Sequence, residues 1–322
     1  MRILFISSTR VGDAILSTGL LQHLLQQHPG ARVTVACGPA AASLFEAVPG
    51  LEKIIVLDKM VFSFHWLRLW SACAGKVWDV LVDLRNSPMY YILFSRNRWR
   101  IGKGRSGLHR VRQLAEVMDL QDDPPAPYLW LSEKQKKKSL ELIPDGVPVL
   151  AVGPTANWRA KTWRVECFVE LIERLTDVNG MLPGGRVAIF GRDDERPMAL
   201  RLIDAIPENR RIDLVGKLDL LDAYACLKRC AFYVGNDSGL MHLAAASGIP
   251  TLGLFGPSPE ELYAPWGELS AVASTSVPYS EIFPKDFDHK ASGTLMDSLT
   301  VDEAQSKAMK LWEQAEKAGV SG

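Results

Sequence analysis

Three short stretches carry residue types that could hold and transfer a phosphate-linked group. The first is Gly235-Asn236-Asp237-Ser238-Gly239, which follows an apolar run and precedes LMHLAAASG. A strand that ends in small polar residues and turns at once into a helix leaves unpaired backbone N–H groups facing one point. With the helix dipole behind them they suit a phosphate, and the glycines let the backbone approach closely. The plainer reading is an ordinary Asp or Ser helix cap. The second stretch is STRVGDAILSTG, where Asp13 sits at a strand-to-helix turn. A carboxylate there either caps the helix or points into a cleft and accepts a proton from an attacking hydroxyl. The third is GPTANWRAKTWRVECF, in which Lys161 stands between Trp158 and Trp163, just before a helix that starts near Val165. A cation does not complement the positive end of a helix dipole. Its place there is easier to understand if it is a point charge for a bound anion.

Charge is also segregated. Arg85, Arg96, Arg98, Arg100, Lys103, Arg105, Arg110 and Arg112 fall between Leu84 and Ala115 with no acid among them, in a chain whose formal net charge is zero. Such a patch steers anions by its field. An anionic acceptor or an anionic membrane surface is favoured over nucleic acid; a merely solvated face is the remaining reading. No metal site is expected. Asp286-Phe287-Asp288 lies in a polar loop without a preceding strand, Asp122-Asp123 and Asp193-Asp194 are loop residues, and the histidines lack ligand spacing. The dinucleotide fingerprint, the P-loop and the G-x-S-x-G elbow are all missing, so no cofactor is expected either.

The elements that must position these residues follow from length and pattern. A chain of 322 residues, 47% hydrophobic and 23% charged, suggests two ordinary globular domains. Its five scattered cysteines contain no C-x-x-C pair, which points to reduced thiols in a cytosol-like compartment. The start MRILFISSTRVGD turns polar too soon for a signal peptide. No run of about 18 uncharged apolar residues is present to span a bilayer. The nearest, VFSFHWLRLWSACAGKVW, is expected to be a helix packed on a sheet rather than a membrane-surface helix. RILFIS, ARVTVAC, KIIVLD and VWDVLVDLR read as buried strands, with a helix through AILSTGLLQHLLQQH. After the Pro-rich break QDDPPAPYLWL comes SEKQKKKSLELI, a helix whose Lys134, Lys136, Lys137 and Lys138 are expected to form a solvated face. The alternation then restarts with VLAVGPT, RVAIFG, IDLVG, AFYVGN and TLGLFG as strands. This βαβ patterning implies two doubly wound α/β domains with parallel sheets. We assign the first to residues 1–148 and the second to 149–322.

RVGDAILSTGLLQHL, DLRNS…RIG, GPTANWRAKTWRVECFVELI, IFGRDDE and VGNDSGLMHLAAASGIPTLGLFGPS occur in order along nearly the whole chain. Together they resemble glycosyltransferase family 9, the bacterial ADP-heptose:lipopolysaccharide heptosyltransferases and relatives. The resemblance implies a GT-B architecture: two Rossmann-like domains facing across a cleft, the nucleotide-sugar in the C-terminal one, the last helix (about 301–318) a candidate to pack back on the N-terminal one. It implies that Asp13 is the catalytic base and that Lys161 holds the donor diphosphate. Donor contacts are expected at Gly153, Thr155, Lys161, Glu195, Asn236, Asp237, Ser238, Gly239, Met241 and His242, with Met241 near the nucleotide and Glu195 at the ribose. Acceptor contacts are expected at Arg10, Arg85, Arg96, Arg98, Arg100, Lys103 and Arg105. Two departures bear on the acceptor: Ser7 stands where many members have Arg or Lys, and SVPYSEIFPKDFDHKASG lacks the family's cysteine. The expected activity is an inverting, metal-independent transfer of a sugar, heptose from ADP-heptose, onto a lipopolysaccharide-core or related anionic glycan at the cytoplasmic face of the inner membrane. The alternatives are another nucleotide-sugar or acceptor, or a non-catalytic nucleotide-sugar sensor.

Overall fold

The computed structural model describes residues 1–58, 64–102, 107–284, 287–288 and 293–319. The chain divides into two compact units, Met1–Ser132 and Glu133–Gly322. In the first, the apolar run Arg2–Ile6 forms β1, followed by α1 (Val11–Gln27), β2 (Arg32–Cys37), β3 (Leu51–Val56), α2 (Phe64–Cys73), β4 (Trp78–Asp83), α3 (Met89–Ile92), β5 (Ser95–Arg100) and α4 (Arg110–Ala115). The sheet order is β3-β2-β1-β4-β5, and every pairing is parallel. β1 and β4 are central and covered on both faces, which is why they read as continuous apolar runs rather than as alternation.

The second unit contains α5 (Glu133–Leu142), β6 (Val149–Gly153), α6 (Val165–Thr176), β7 (Arg186–Ile189), α7 (Arg196–Ala205), β8 (Arg211–Asp213), α8 (Leu220–Leu227), β9 (Phe232–Asn236), α9 (Gly239–Ser247), β10 (Thr251–Phe255), α10 (Glu260–Tyr263), β11 (Ser270–Ser274) and α11 (Val301–Lys317). Its parallel sheet runs β11-β10-β9-β6-β7-β8. In each sheet the strand order reverses beside the first strand of the unit, between β1 and β4 and between β6 and β9. Ligands of open parallel sheets gather at the carboxyl ends of strands at such switch points.

Several expectations change. The division falls at Ser132/Glu133 rather than at 148/149, because α5 packs on α8 and Lys138 is ion-paired with Asp222. Lys138 therefore leaves the solvated lysine face. The last helix packs within the second unit: Val301, Ala304, Ala308 and Leu311 of α11 enter the core that also holds Leu171, Phe232 and Leu252. Two edge strands carry no apolar alternation and were illegible: β5 is SRNRWR and β11 is SAVAS. The aromatic stripe is divided. α2 buries His65, Leu69 and Cys73 against the sheet and turns Phe64, Leu67 and Trp70 to solvent.

Candidate functional site

At the switch point of the second unit, β9 ends at Asn236 and α9 begins at Gly239, with Ser238 in the N-cap position in extended conformation. Next to this turn, the short 3-10 helix Arg159–Lys161 brings Lys161 Nζ to 2.6 Å from Asp237 Oδ2. The same carboxylate oxygen accepts the hydroxyl of Ser258 at 2.6 Å. Asp237 is buried and its backbone N–H donates to Leu254 O at 3.2 Å. Lys161 is only partly covered. An ammonium group has three donors, and one is used on Asp237. The lysine is thus aimed at the helix start with donors to spare, which is what an anion-holding group needs.

Other residues of the turn have internal duties. Asn236, expected among the donor contacts, is fully buried: its amide nitrogen donates to Pro154 O at 2.8 Å, and its amide oxygen accepts Trp163 N–H at 3.1 Å. It braces the loops after β6 and β9. Met241, expected against the nucleotide, is fully buried, and its sulfur lies 2.6 Å from where a Cβ on Gly253 would stand. The reason is helical phase, since this face of α9 looks into the sheet. His242 is also buried. Gly239 opens the helix as expected.

Tyr233, which sequence reasoning passed over, explains two glycines. It points along β9 toward the strand's end, and its hydroxyl would stand 2.2 Å from a Cβ on Gly153 and 2.3 Å from one on Gly235. A side chain at Gly153 would therefore displace this phenol. The Tyr233 hydroxyl lies beside that of Ser238, and among the described residues neither has another hydrogen-bond partner. Burial pushes the phenol's pKa up, so it stays neutral. The Ser238 hydroxyl is buried too, which leaves backbone N–H groups as what the turn presents. At β6 and β7, Thr155 donates to Glu195 Oε2 at 2.9 Å, and Arg192 N–H reaches the same oxygen at 2.9 Å. Glu195 thus closes a turn, with its second oxygen 3.8 Å from Arg192 Nε.

In the first unit, Asp13 lies in the first turn of α1, and Arg110 Nε of α4 stands 3.4 Å from its Oδ1. Sequence reasoning counted Arg110 among the basic residues without giving it this partner. Arg10 is exposed at the N-cap of α1. At the end of β4, buried Asp83 accepts N–H groups of Arg85 at 3.0 Å and Ser87 at 2.6 Å. Burial pushes its carboxyl upward, against the pull of those donors and of the Ser87 hydroxyl. Arg85 is half-buried over the Trp66 ring, and its Nη1 is buried with no hydrogen-bond partner among the described residues. Burial lowers its pKa, with Asp83 opposing. Among the described acceptor candidates, Arg85 is the one with a buried donor lacking a hydrogen-bond partner.

The others are partly committed. Arg96 pairs with Asp79 at 3.2 Å. Arg98 donates to the carbonyls of Tyr90 and Ser95 at 2.8 and 3.2 Å, and Arg100 lies over the rings of Tyr90 and Tyr91. Alternation along β5 puts all three on one side, so the patch is partly the packing of an edge strand. Lys103, Arg105 and Asp286 lie outside the described residues. Among the described residues no cluster of three His, Cys, Asp or Glu side chains could hold a metal, and no helix is long and apolar enough to cross a membrane.

Two doubly wound parallel sheets flanked by helices are the architecture of GT-B glycosyltransferases. A solved structure with this fold, Escherichia coli ADP-heptose lps heptosyltransferase II, superposes with a TM-score of 0.73 over 98% of this chain and all (100%) of that one at 22% identity. A family model described as glycosyltransferase family 9 (heptosyltransferase) matches residues 73–285, and the chain belongs to that family. Among curated relatives, lipooligosaccharide heptosyltransferase 2 of Haemophilus influenzae is 27% identical, covering 84% of this chain and 88% of that protein. Lipopolysaccharide heptosyltransferase 2 of Escherichia coli is 25% identical, covering 92% and 94%.

Proposed function

We propose that this glycosyltransferase moves heptose from ADP-heptose onto a sugar hydroxyl of a lipopolysaccharide core or related anionic glycan, with inversion. The observation that carries the reading is the Lys161–Asp237–Ser258 cluster at the start of α9. In this mechanism the donor diphosphate lies on the backbone N–H groups of that helix start, and Lys161 bonds its oxygens. Asp13 takes the acceptor's proton, the acceptor oxygen bonds to the anomeric carbon, and the bond from that carbon to the phosphate oxygen breaks. ADP leaves with the electron pair. Attack opposite the leaving group inverts the anomeric centre. The base contributes roughly 10²–10⁴-fold, and preorganised donors on the leaving diphosphate contribute on a similar or larger scale. Lys161 and the helix dipole carry the charge that a metal ion would otherwise carry. Glu195 turns its second carboxylate oxygen to a ribose hydroxyl, Thr155 holding the first.

Arg85 and Arg10 bind an acidic or phosphorylated group of the acceptor, with the β5 arginines supplying field. On this reading the nucleotide-sugar donor puts the enzyme on the cytoplasmic side, and the lipid-anchored acceptor brings it to the surface of the inner membrane. The test is incubation with ADP-heptose and a core acceptor, with mass spectrometry of the product and NMR of the new linkage. ADP should protect against thermal unfolding where UDP and NAD do not; equal protection by all three, or none, would overturn the donor assignment.

A further inference from the structure

The exposed large apolar side chains are not evenly spread. Phe64, Leu67, Trp70, Val77, Tyr91, Ile92 and Phe94 all fall within one stretch of the first unit, and Phe94 and Tyr91 are 74% and 65% exposed. On α2, Phe64, Leu67 and Trp70 recur every three residues, on the side opposite the buried His65, Leu69 and Cys73. Leu69 and Cys73 share a core cluster with Met89 and Leu93, which flank the outward Tyr91 and Ile92, and the exposed Phe94 follows directly. α2 and α3 therefore cover the same face of the sheet, and their outer sides form one apolar surface. Patches of this kind mark an interaction site, whereas apolar side chains scattered singly do not.

The charges around the surface select the partner. Between residues 64 and 100 stand Arg68, Lys76, Arg85, Arg96, Arg98 and Arg100 against Asp79 and Asp83, of which Asp83 is buried. Tyr90 and Tyr91 are ringed by Arg98 and Arg100, and Lys76 lies over Trp78. Aromatic and aliphatic side chains inserted beside cations match a bilayer interface, where apolar groups reach the acyl boundary and cations meet anionic headgroups. A protein groove would not require the excess of positive charge.

We infer that the outer faces of α2 and α3 form a landing surface for an anionic lipid bilayer, with Phe64, Leu67 and Trp70 entering the interface. This deepens the reading of a lipid-anchored acceptor and rests on it only for its purpose; the surface itself can be tested without any transfer.

Co-sedimentation is measured with phosphatidylcholine vesicles, with and without phosphatidylglycerol, for the full chain and for the variant Phe64→Ser/Leu67→Ser/Trp70→Ser. The wild type should bind the anionic vesicles, less so as salt rises. The variant should bind at least about tenfold more weakly, given what three apolar side chains contribute. A second variant, Tyr91→Ser/Phe94→Ser, should show the same direction. Both should keep the melting temperature and the turnover of a soluble acceptor sugar. Equal vesicle binding by wild type and both variants would overturn the proposal. So would wild-type binding that ignores lipid charge, or loss of a dimer in the variants without any vesicle binding by the wild type. Turnover of a soluble acceptor without vesicle binding would sink the landing surface and leave the transferase; vesicle binding without turnover would do the reverse.

Discussion

Lys161 and Asp237 are separated by 76 residues and meet at 2.6 Å beside the start of α9. The aspartate is buried, holds a second donor in Ser258, and fixes where the ammonium group stands. Lys161→Ala should weaken ADP binding by about ten- to a hundredfold, the range of one charge-assisted hydrogen bond. Asp237→Asn should keep the fold while releasing the lysine, with a smaller loss. Calorimetric titration with ADP checks both; an unchanged dissociation constant for Lys161→Ala would remove the lysine from the donor site.

Asp13→Asn and Asp13→Ala should lose about 10²–10⁴-fold in kcat with ADP affinity unchanged, as expected of a group acting only in the transition state. Arg110→Met should cost less, because Arg110 positions the carboxylate from 3.4 Å without touching the reacting atoms. Steady-state rates and ADP titration separate the two effects. More than about a tenth of the wild-type rate in Asp13→Asn would make the residue a helix cap.

Activity should survive EDTA. Lys161, held in place by the Ser258-anchored Asp237, and the backbone N–H groups of the α9 start are the groups expected to carry the diphosphate charge. Loss on chelation, restored by Mg²⁺ or Mn²⁺, would count against this and turn attention to Asp288 and Asp286.

Tyr233→Phe should change stability by no more than about 1 kcal/mol in either direction, because it removes one buried hydroxyl but leaves the Ser238 hydroxyl buried without its neighbour. Gly153→Ala should cost about 1–3 kcal/mol through overpacking against that hydroxyl. The double variant should recover part of the loss, since the closest clash, 2.2 Å, is with the hydroxyl itself. Denaturant titrations of the four proteins measure the coupling; strict additivity would show that the two sites do not meet.

Thiol labelling near pH 8 should modify Cys167 in the native chain and leave Cys37, Cys73, Cys226 and Cys230 unreacted, because those four are buried and Cys167 is half-exposed. Burial pushes Cys37 and Cys226 from 9.0 up to about 12 and Cys73 to about 11. The folded values exceed the unfolded one, so the stabilisation is fully present below pH 9.0 and is lost as pH rises toward 12. Denaturant unfolding across that window should show falling stability. Rapid native labelling of all five thiols would contradict the burial.

The sequence by itself determined the elements buried on two sides and the residues that end them. Apolar runs such as RILFI and FYVGN have one stable use, a central parallel strand, and small polar residues after them have one geometric consequence, a helix start with open N–H groups. The helix starts at Asp13 and Gly239 were legible for that reason. The edge strands β5 and β11 were not, because an edge needs no apolar pattern and hides in arginines or small residues. Tertiary structure alone decided how residues distant in the chain pair: Lys161 with Asp237, Arg110 with Asp13, Arg96 with Asp79, Lys138 with Asp222. It also decided which side of α9 faces the sheet, hence the burial of Met241, and that the Tyr233 phenol fills the space a side chain at Gly153 would need. A local pattern fixes periodicity and turn chemistry. The phase of a helix on a sheet, and the partner of a charge, are set only when the whole unit packs.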